Sequence, residues 1–178
     1  MITIVLADDH PIVRHGLRAL LAIEPDCTLV AEAADGLTAV QLVEAHHPTV
    51  LIVDLMMPGM NGLAVTRHVR ALTDPPQVII LSMHADELYV LEALRSGAAA
   101  YVLKESDTLQ LAQAVRAVAS GQRYLSPMLS ERAIDAYIQQ GHTSSFDALE
   151  MLTVREREIL TLVVQGYTNA AIAARFKW

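Results

Sequence analysis

Cysteine is all but missing from this 178-residue chain, where Cys27 stands alone. One thiol excludes an internal disulfide and any metal cage built on several cysteines, and it suits a reducing compartment. Aromatic residues make up only 4%. A core must then be assembled from Ala, Val, Leu and Ile, which favours parallel strands covered by helices over a sandwich with aromatic layers. Glycine and proline are sparse too, at 8 and 7 residues, which excludes fibrous and low-complexity classes. No apolar run reaches the length of a membrane span. The first residues, MITIVLADDHP, have neither the basic start nor the long apolar stretch of a signal peptide. The chain is therefore expected to be soluble and cytoplasmic.

What the chain has in quantity is apolar side chains, 53% of the total, and acid, with a net charge of −7. The acid is unevenly spread. Residues 1–123 carry 8 Lys and Arg against 14 Asp and Glu, a balance of −6, whereas residues 149–178 carry 4 against 3, a balance of +1. An acidic front segment is unsuited to phosphate-backbone contacts, so any nucleic-acid role would fall to the end of the chain.

Five short apolar runs recur at regular intervals: Ile2–Ala7, Thr28–Ala33, Thr49–Val53, Gln77–Leu81 and Ala99–Leu103. Consecutive Val, Ile and Leu over strand length are what strands buried on both faces require. Between and after the runs, Pro11–Ile23, Leu37–Ala45, Gly62–Leu72, Asp86–Ser96 and Asp107–Ala119 show helical spacing. Pro11 suits a first turn, and Gly97 follows Ser96 where a left-handed residue would end a helix. Strand and helix alternating five times, with right-handed crossovers, predict a doubly wound α/β domain with a five-stranded parallel sheet over residues 1–120.

A linker with one embedded helix, Met128–Gln140, is expected over residues 121–148. Beyond it, Thr153–Val154–Arg155–Glu156 is a capping box that opens a helix through Val164. Gly166 is placed to end that helix, and a second begins at Asn169.

Chemistry collects at the strand ends. The first strand runs into Asp8 and Asp9, the third into Asp54, the fourth into Ser82 and the fifth into Lys104. In a parallel sheet these positions converge on one rim. Three carboxylates there call for a cation. Oxygen donors with no His or Cys nearby select a hard ion, and a partly hydrated site suits Mg²⁺, with the backbone carbonyl of Met56 within reach. Asp54 then keeps an oxygen free to attack phosphorus. Lys104 can pair with Asp54 or with phosphoryl oxygens, and Ser82 can donate its hydroxyl to one of them.

The bland alternatives are specific. An acidic pair after a strand often only favours the positive end of a helix dipole. Lys104 on its own could be a surface lysine and Ser82 a turn residue. His10, His15, His46, His47 and His84 show no metal-ligand spacing and read as surface or loop residues. A flavin or nucleotide carrier on this fold would want a Gly-rich loop after the first strand, and Asp8–Asp9 would repel the phosphate. An aspartyl-phosphate hydrolase would want an acid or base beside the nucleophile, where Leu55 and Met56 offer none. The chain is read as a switch and not as an enzyme.

The segments ADDHPIVRHGL, DLMMPGMNGL, LSMHADE and GAAAYVLKE resemble the receiver domain of two-component response regulators, a flavodoxin-like fold, over residues 2–119. The resemblance is to the subfamily with a LuxR/NarL-type DNA-binding module. It implies Asp54 as phosphoacceptor, Asp8 and Asp9 as the acidic Mg²⁺ site, Ser82 as switch hydroxyl, Tyr101 as switch aromatic and Lys104 as the lysine of the site. It also implies a sensor histidine kinase as partner and homodimerisation on phosphorylation. Many receivers carry Pro after that lysine; here Glu105 follows, which leaves open whether the bond between them is cis.

LTVREREILTLVVQGYTNAAIAARF, residues 152–176, resembles the first half of a LuxR-type helix-turn-helix, so that 149–178 is expected to form part of an all-α DNA-binding module without its recognition helix. Arg155, Arg157, Arg175 and Lys177 would then touch at most phosphates. The alternative is a receiver that signals by dimerising, without specific DNA binding.

Overall fold

A computed structural model describes residues 1–105, 108–127 and 129. The linker helix expected over 128–140 and the partial helix-turn-helix expected over 149–178 lie outside the described residues. The elements are β1 (Ile2–Ala7), α1 (Pro11–Ala22), β2 (Cys27–Ala33), α2 (Gly36–His46), β3 (Val50–Asp54), α3 (Gly62–Arg70), β4 (Gln77–Ser82), α4 (Glu87–Arg95), β5 (Ala100–Leu103), α5 (Thr108–Ala119) and β6 (Tyr124–Leu125).

All strand pairs are parallel, in the order β2-β1-β3-β4-β5-β6. This corrects the expected five strands. The Gly121–Pro127 segment, read as turn and linker, places Tyr124 and Leu125 opposite Ala100 and Tyr101 as a sixth strand. The edge of β5 supplies its hydrogen bonds, so two residues suffice. The sheet therefore continues past the expected domain boundary at residue 120.

Burial follows position in the sheet. All of β3 and β5 is buried, and all of β4 but Gln77, while edge strand β2 is buried only at Ala33. One apolar cluster joins Ile4, Leu6, Ile52, Ile79, Leu81 and Val102 to Leu111, Val115 and Val118 of α5. Removing one such side chain to Ala costs about 2–5 kcal/mol.

Helix starts follow the local chemistry. Asp35 and Asn61 cap α2 and α3 by accepting from the backbone N–H of Thr38 and Ala64, at 2.8 and 2.9 Å. Pro11 opens α1 as expected, and Gly97 after α4 has φ +98°.

Strand order reverses at β1, which has β2 on one side and β3 on the other. Parallel crossovers leave a crevice there, outside the carboxyl ends of the strands. Asp8 and Asp9 follow β1, and Asp54 ends β3.

Candidate functional site

The rim is built from buried charge. Asp8 is fully enclosed, Asp54 is 3% exposed, and the Lys104 side chain is 9% exposed. The Lys104 Nζ lies 2.8 Å from Asp8 Oδ2 and 2.9 Å from Asp54 Oδ2, so one ammonium stands between two carboxylates. Its backbone is fixed by a 2.8 Å hydrogen bond from the Lys104 N–H to the Ser82 carbonyl, which continues the β4–β5 ladder. No cis peptide bond occurs among the described residues, so the Lys104–Glu105 bond is trans.

The charges do not balance. Burial pushes the Asp54 carboxyl above the usual range; the hydrogen bond and charge of Lys104 oppose this, and Asp8 reinforces it. For Lys104, burial acts downward, but hydrogen bonds to Asp8 and Asp54 outweigh it and the ammonium is held above its ordinary value. The two partners of one ion pair thus shift the same way, favourably for Lys104 and unfavourably for Asp54. Stoichiometry explains it: a lone ammonium satisfies itself on either carboxylate, whereas two buried carboxylates share a single cation.

Further donors are left over. Among the described residues Asp8 Oδ2 has no partner besides the Lys104 ammonium, and the enclosed Asp9 Oδ1 receives no hydrogen bond. Buried oxygens of this kind ask for a cation. Ligand atoms of Asp8, Asp9, Asp54 and also His10 all lie within 4.8 Å of one another. The residues present therefore fit a divalent ion.

His10 is the member that sequence reasoning missed. The reading of the rim as free of nearby histidine is corrected by the His10 Nδ1, 2.8 Å from Asp9 Oδ1 and 3.6 Å from Asp8 Oδ1. Its adjacency to the acidic pair, just ahead of a helix-opening proline, was the available signal. Asp8 is further held by the His10 backbone N–H, which donates to Oδ1 at 2.8 Å, and by the Arg14 guanidinium, which donates to its carbonyl at 2.5 Å.

The loop after β3 comes close because Gly62 has no side chain. A Cβ there would stand 2.3 Å from the Asp54 carbonyl oxygen, well inside contact distance. The Gly62 N–H donates to the Leu55 carbonyl at 2.9 Å, closing the loop over Met56–Asn61. Met56 is half-buried, and its N–H is 3.4 Å from Asp54 Oδ1.

Ser82 and Tyr101 form an adjacent layer that converges on His84. The Ser82 hydroxyl accepts from the His84 N–H at 2.9 Å, and the Tyr101 hydroxyl donates to the His84 carbonyl at 2.8 Å. Tyr101 is fully buried, and that burial pushes its phenol well above the ordinary range, so the hydroxyl keeps its proton. The start of the β4–α4 loop is thus pinned on both sides by the two groups.

Comparison with known proteins agrees with this geometry. Residues 4–116 match the family described as the response regulator receiver domain. The chain is 41% identical over 177 residues to the oxygen regulatory protein NreC of Staphylococcus epidermidis, covering 97% of this chain and 81% of that protein. It is 38% identical over 184 residues to the transcriptional regulatory protein DegU of Brevibacillus brevis, covering 96% and 78%. Among solved structures, a LuxR-family two-component response regulator from Aurantimonas sp. SI85-9A1 superposes with a TM-score of 0.73 at 37% identity, over 78% of this chain and 99% of that one.

Proposed function

The chain belongs to the two-component response regulators of the LuxR/NarL type, which control transcription, and from that membership we propose that Asp54 is its phosphoacceptor and that Asp8, Asp9 and the Met56 carbonyl hold Mg²⁺ beside it. The observation that carries the reading is the excess of buried carboxylate over ammonium at the rim. A divalent ion held there would neutralise that excess and the charge that develops on a transferred phosphoryl group.

Each residue of this chain then has a task. Asp54 Oδ1, the oxygen not engaged by Lys104, is the nucleophile. Lys104 holds the other oxygen and turns to the phosphoryl group once it arrives. Ser82 can turn its hydroxyl proton to a phosphoryl oxygen while its oxygen goes on accepting from the His84 N–H. Donation to a phosphoryl oxygen draws Ser82 toward Asp54 and pulls on His84, whose carbonyl Tyr101 holds. The local charge event thereby biases the position of the β4–α4 loop and the α4–β5 face.

The kinase that supplies the phosphoryl group is a sensor histidine kinase in the cytoplasm, and the output is homodimerisation and, through a LuxR-type module of which 149–178 supplies the first part, DNA binding. The pattern in 152–176 supports this output. None of the helices in the described residues is long and apolar enough to cross a membrane.

The test is intact mass after incubation with Mg²⁺ and a small phosphodonor such as acetyl phosphate. Wild type gains one phosphoryl group, and Asp54→Asn gains none. An equal gain in the variant would place the phosphoacceptor elsewhere.

A further inference from the structure

We propose that His10 is a nitrogen ligand of the metal site, and that it biases the site toward a borderline divalent transition ion such as Mn²⁺ over Mg²⁺. The proposal rests on the reading of Asp8, Asp9 and Asp54 as metal ligands and adds to it a donor of different chemistry.

Three observations carry it. First, His10 occupies the N-cap of α1, yet its ring makes no capping hydrogen bond, so helix stability does not account for the ring's orientation. Second, the ring turns back over the acids although it is 65% exposed on its outer side. Its Nδ1 joins the Asp8, Asp9 and Asp54 oxygens within the 4.8 Å cluster, a spread that a single ion can span. Third, the 2.8 Å approach of Nδ1 to Asp9 Oδ1 lacks the direction of a hydrogen bond, and that oxygen has no other partner. A ring nitrogen and a carboxylate oxygen at that separation are placed so that both can bind one cation when the imidazole is neutral. Pro11 and the His10 N–H to Asp8 bond fix the backbone that aims the ring.

Ligand type then sets preference. Mg²⁺ gains little from imidazole, being a hard ion that keeps its waters, whereas affinity for nitrogen-containing sites rises along the transition series from Mn²⁺. His10 therefore stabilises Mn²⁺ and its neighbours selectively and leaves Mg²⁺ to the oxygens.

The experiment measures Mg²⁺ and Mn²⁺ binding by calorimetry at roughly pH 8, above the ordinary imidazole range. Wild type, His10→Ala and Asp9→Asn are compared, with electron spin-echo modulation on the Mn²⁺-loaded proteins to read ¹⁴N coupling. The expected result is an imidazole ¹⁴N signal in wild type that His10→Ala abolishes. Mn²⁺ affinity falls about tenfold or more in that variant, and Mg²⁺ affinity changes by a much smaller factor. Absence of the signal in wild type, its persistence in His10→Ala, or equal weakening of both ions would overturn the proposal. Equal weakening would mean that the ring acts only through Asp9. Unchanged binding of both ions in Asp9→Asn would overturn the underlying metal site, and His10's part in it too.

Discussion

The sheet carries an ion cluster at each end, and the two are built from the same parts with opposite results. At the carboxyl rim, Lys104 stands between Asp8 and Asp54 in the interior. At the amino edge, Arg116 of α5 binds Asp26 in a two-pronged contact at 2.6 and 2.8 Å and reaches Glu24 at 2.5 Å. Each has one cation and two carboxylates. In water the excess negative charge is cheap, and the Arg116 hydrogen bond holds the Asp26 carboxyl down at about 2. In the interior the same excess raises Asp54. The arrangement that serves as a fastener outside becomes a demand for another cation inside.

Removing the cation from each cluster tests this contrast hardest. Lys104→Met leaves two buried carboxylates without a partner and should lower stability by about 3–5 kcal/mol, read as a urea midpoint in chelator. Mg²⁺ should restore part of the loss, because it binds the folded state alone. Arg116→Gln should barely move the midpoint, with or without metal. Equal losses at the two sites would show that burial is not what separates them.

Gly62→Ala comes next. The added Cβ must displace the Asp54 carbonyl or the α3 start, and about 1–3 kcal/mol of stability should go with it. Phosphoryl uptake should fall further than that loss accounts for if Asp54 is the phosphoacceptor, because its own backbone moves. Quantitative mass spectrometry at a temperature where the variant is fully folded separates the two effects.

Asp54→Asn should go the other way in chelator. A carboxyl whose folded-state value is raised contributes stability below its unfolded value, near 3.8, and loses it as pH rises through the folded value. In chelator the charged form of Asp54 is therefore a burden, and its amide should raise stability by about 1 kcal/mol, read from the urea midpoint. The gain should vanish or reverse in saturating Mg²⁺, which stabilises only the wild type. A variant less stable than wild type in chelator would break the account of the rim.

The same contrast explains what could be read in advance. β1, β3, β4 and β5 were legible because strands covered on both faces must be apolar at consecutive positions. Asp8, Asp9, Asp54 and Lys104 stood out because each follows such a run, and a parallel sheet puts all run ends on one rim. Tyr124–Leu125 was not legible, since a two-residue strand has no period and exists by virtue of the β5 edge. His10 escaped for a related reason: metal-ligand spacing along a sequence describes ligands within one element, and this ring reaches its neighbours by folding back from a helix cap. Lys104 posed the subtler problem. Its position was evident, but its contact with both carboxylates depends on how far β5 advances beside β4, which the Lys104 N–H to Ser82 bond fixes and no local pattern encodes.

The smallest expected effect is at the exposed cluster, and its sign is what matters. Asp26 has a folded value lowered from 3.8 to about 2, so its contribution is present above 3.8 and is lost as pH falls through about 2. That window opposes the one for Asp54 in chelator, where stability is lost as pH rises. Arg116→Gln should therefore differ from wild type slightly at pH 5 and low salt, and not at all once Asp26 is protonated. In about 1 M salt, where screening acts within roughly 3 Å, the difference at pH 5 should shrink toward zero. The Lys104→Met loss should persist in the same salt, because screening ions do not reach a side chain 9% exposed between two enclosed acids. Melting both variants across that grid of pH and salt decides whether solvent access alone turns one motif of charges into a surface fastener and the other into a buried cluster short of positive charge.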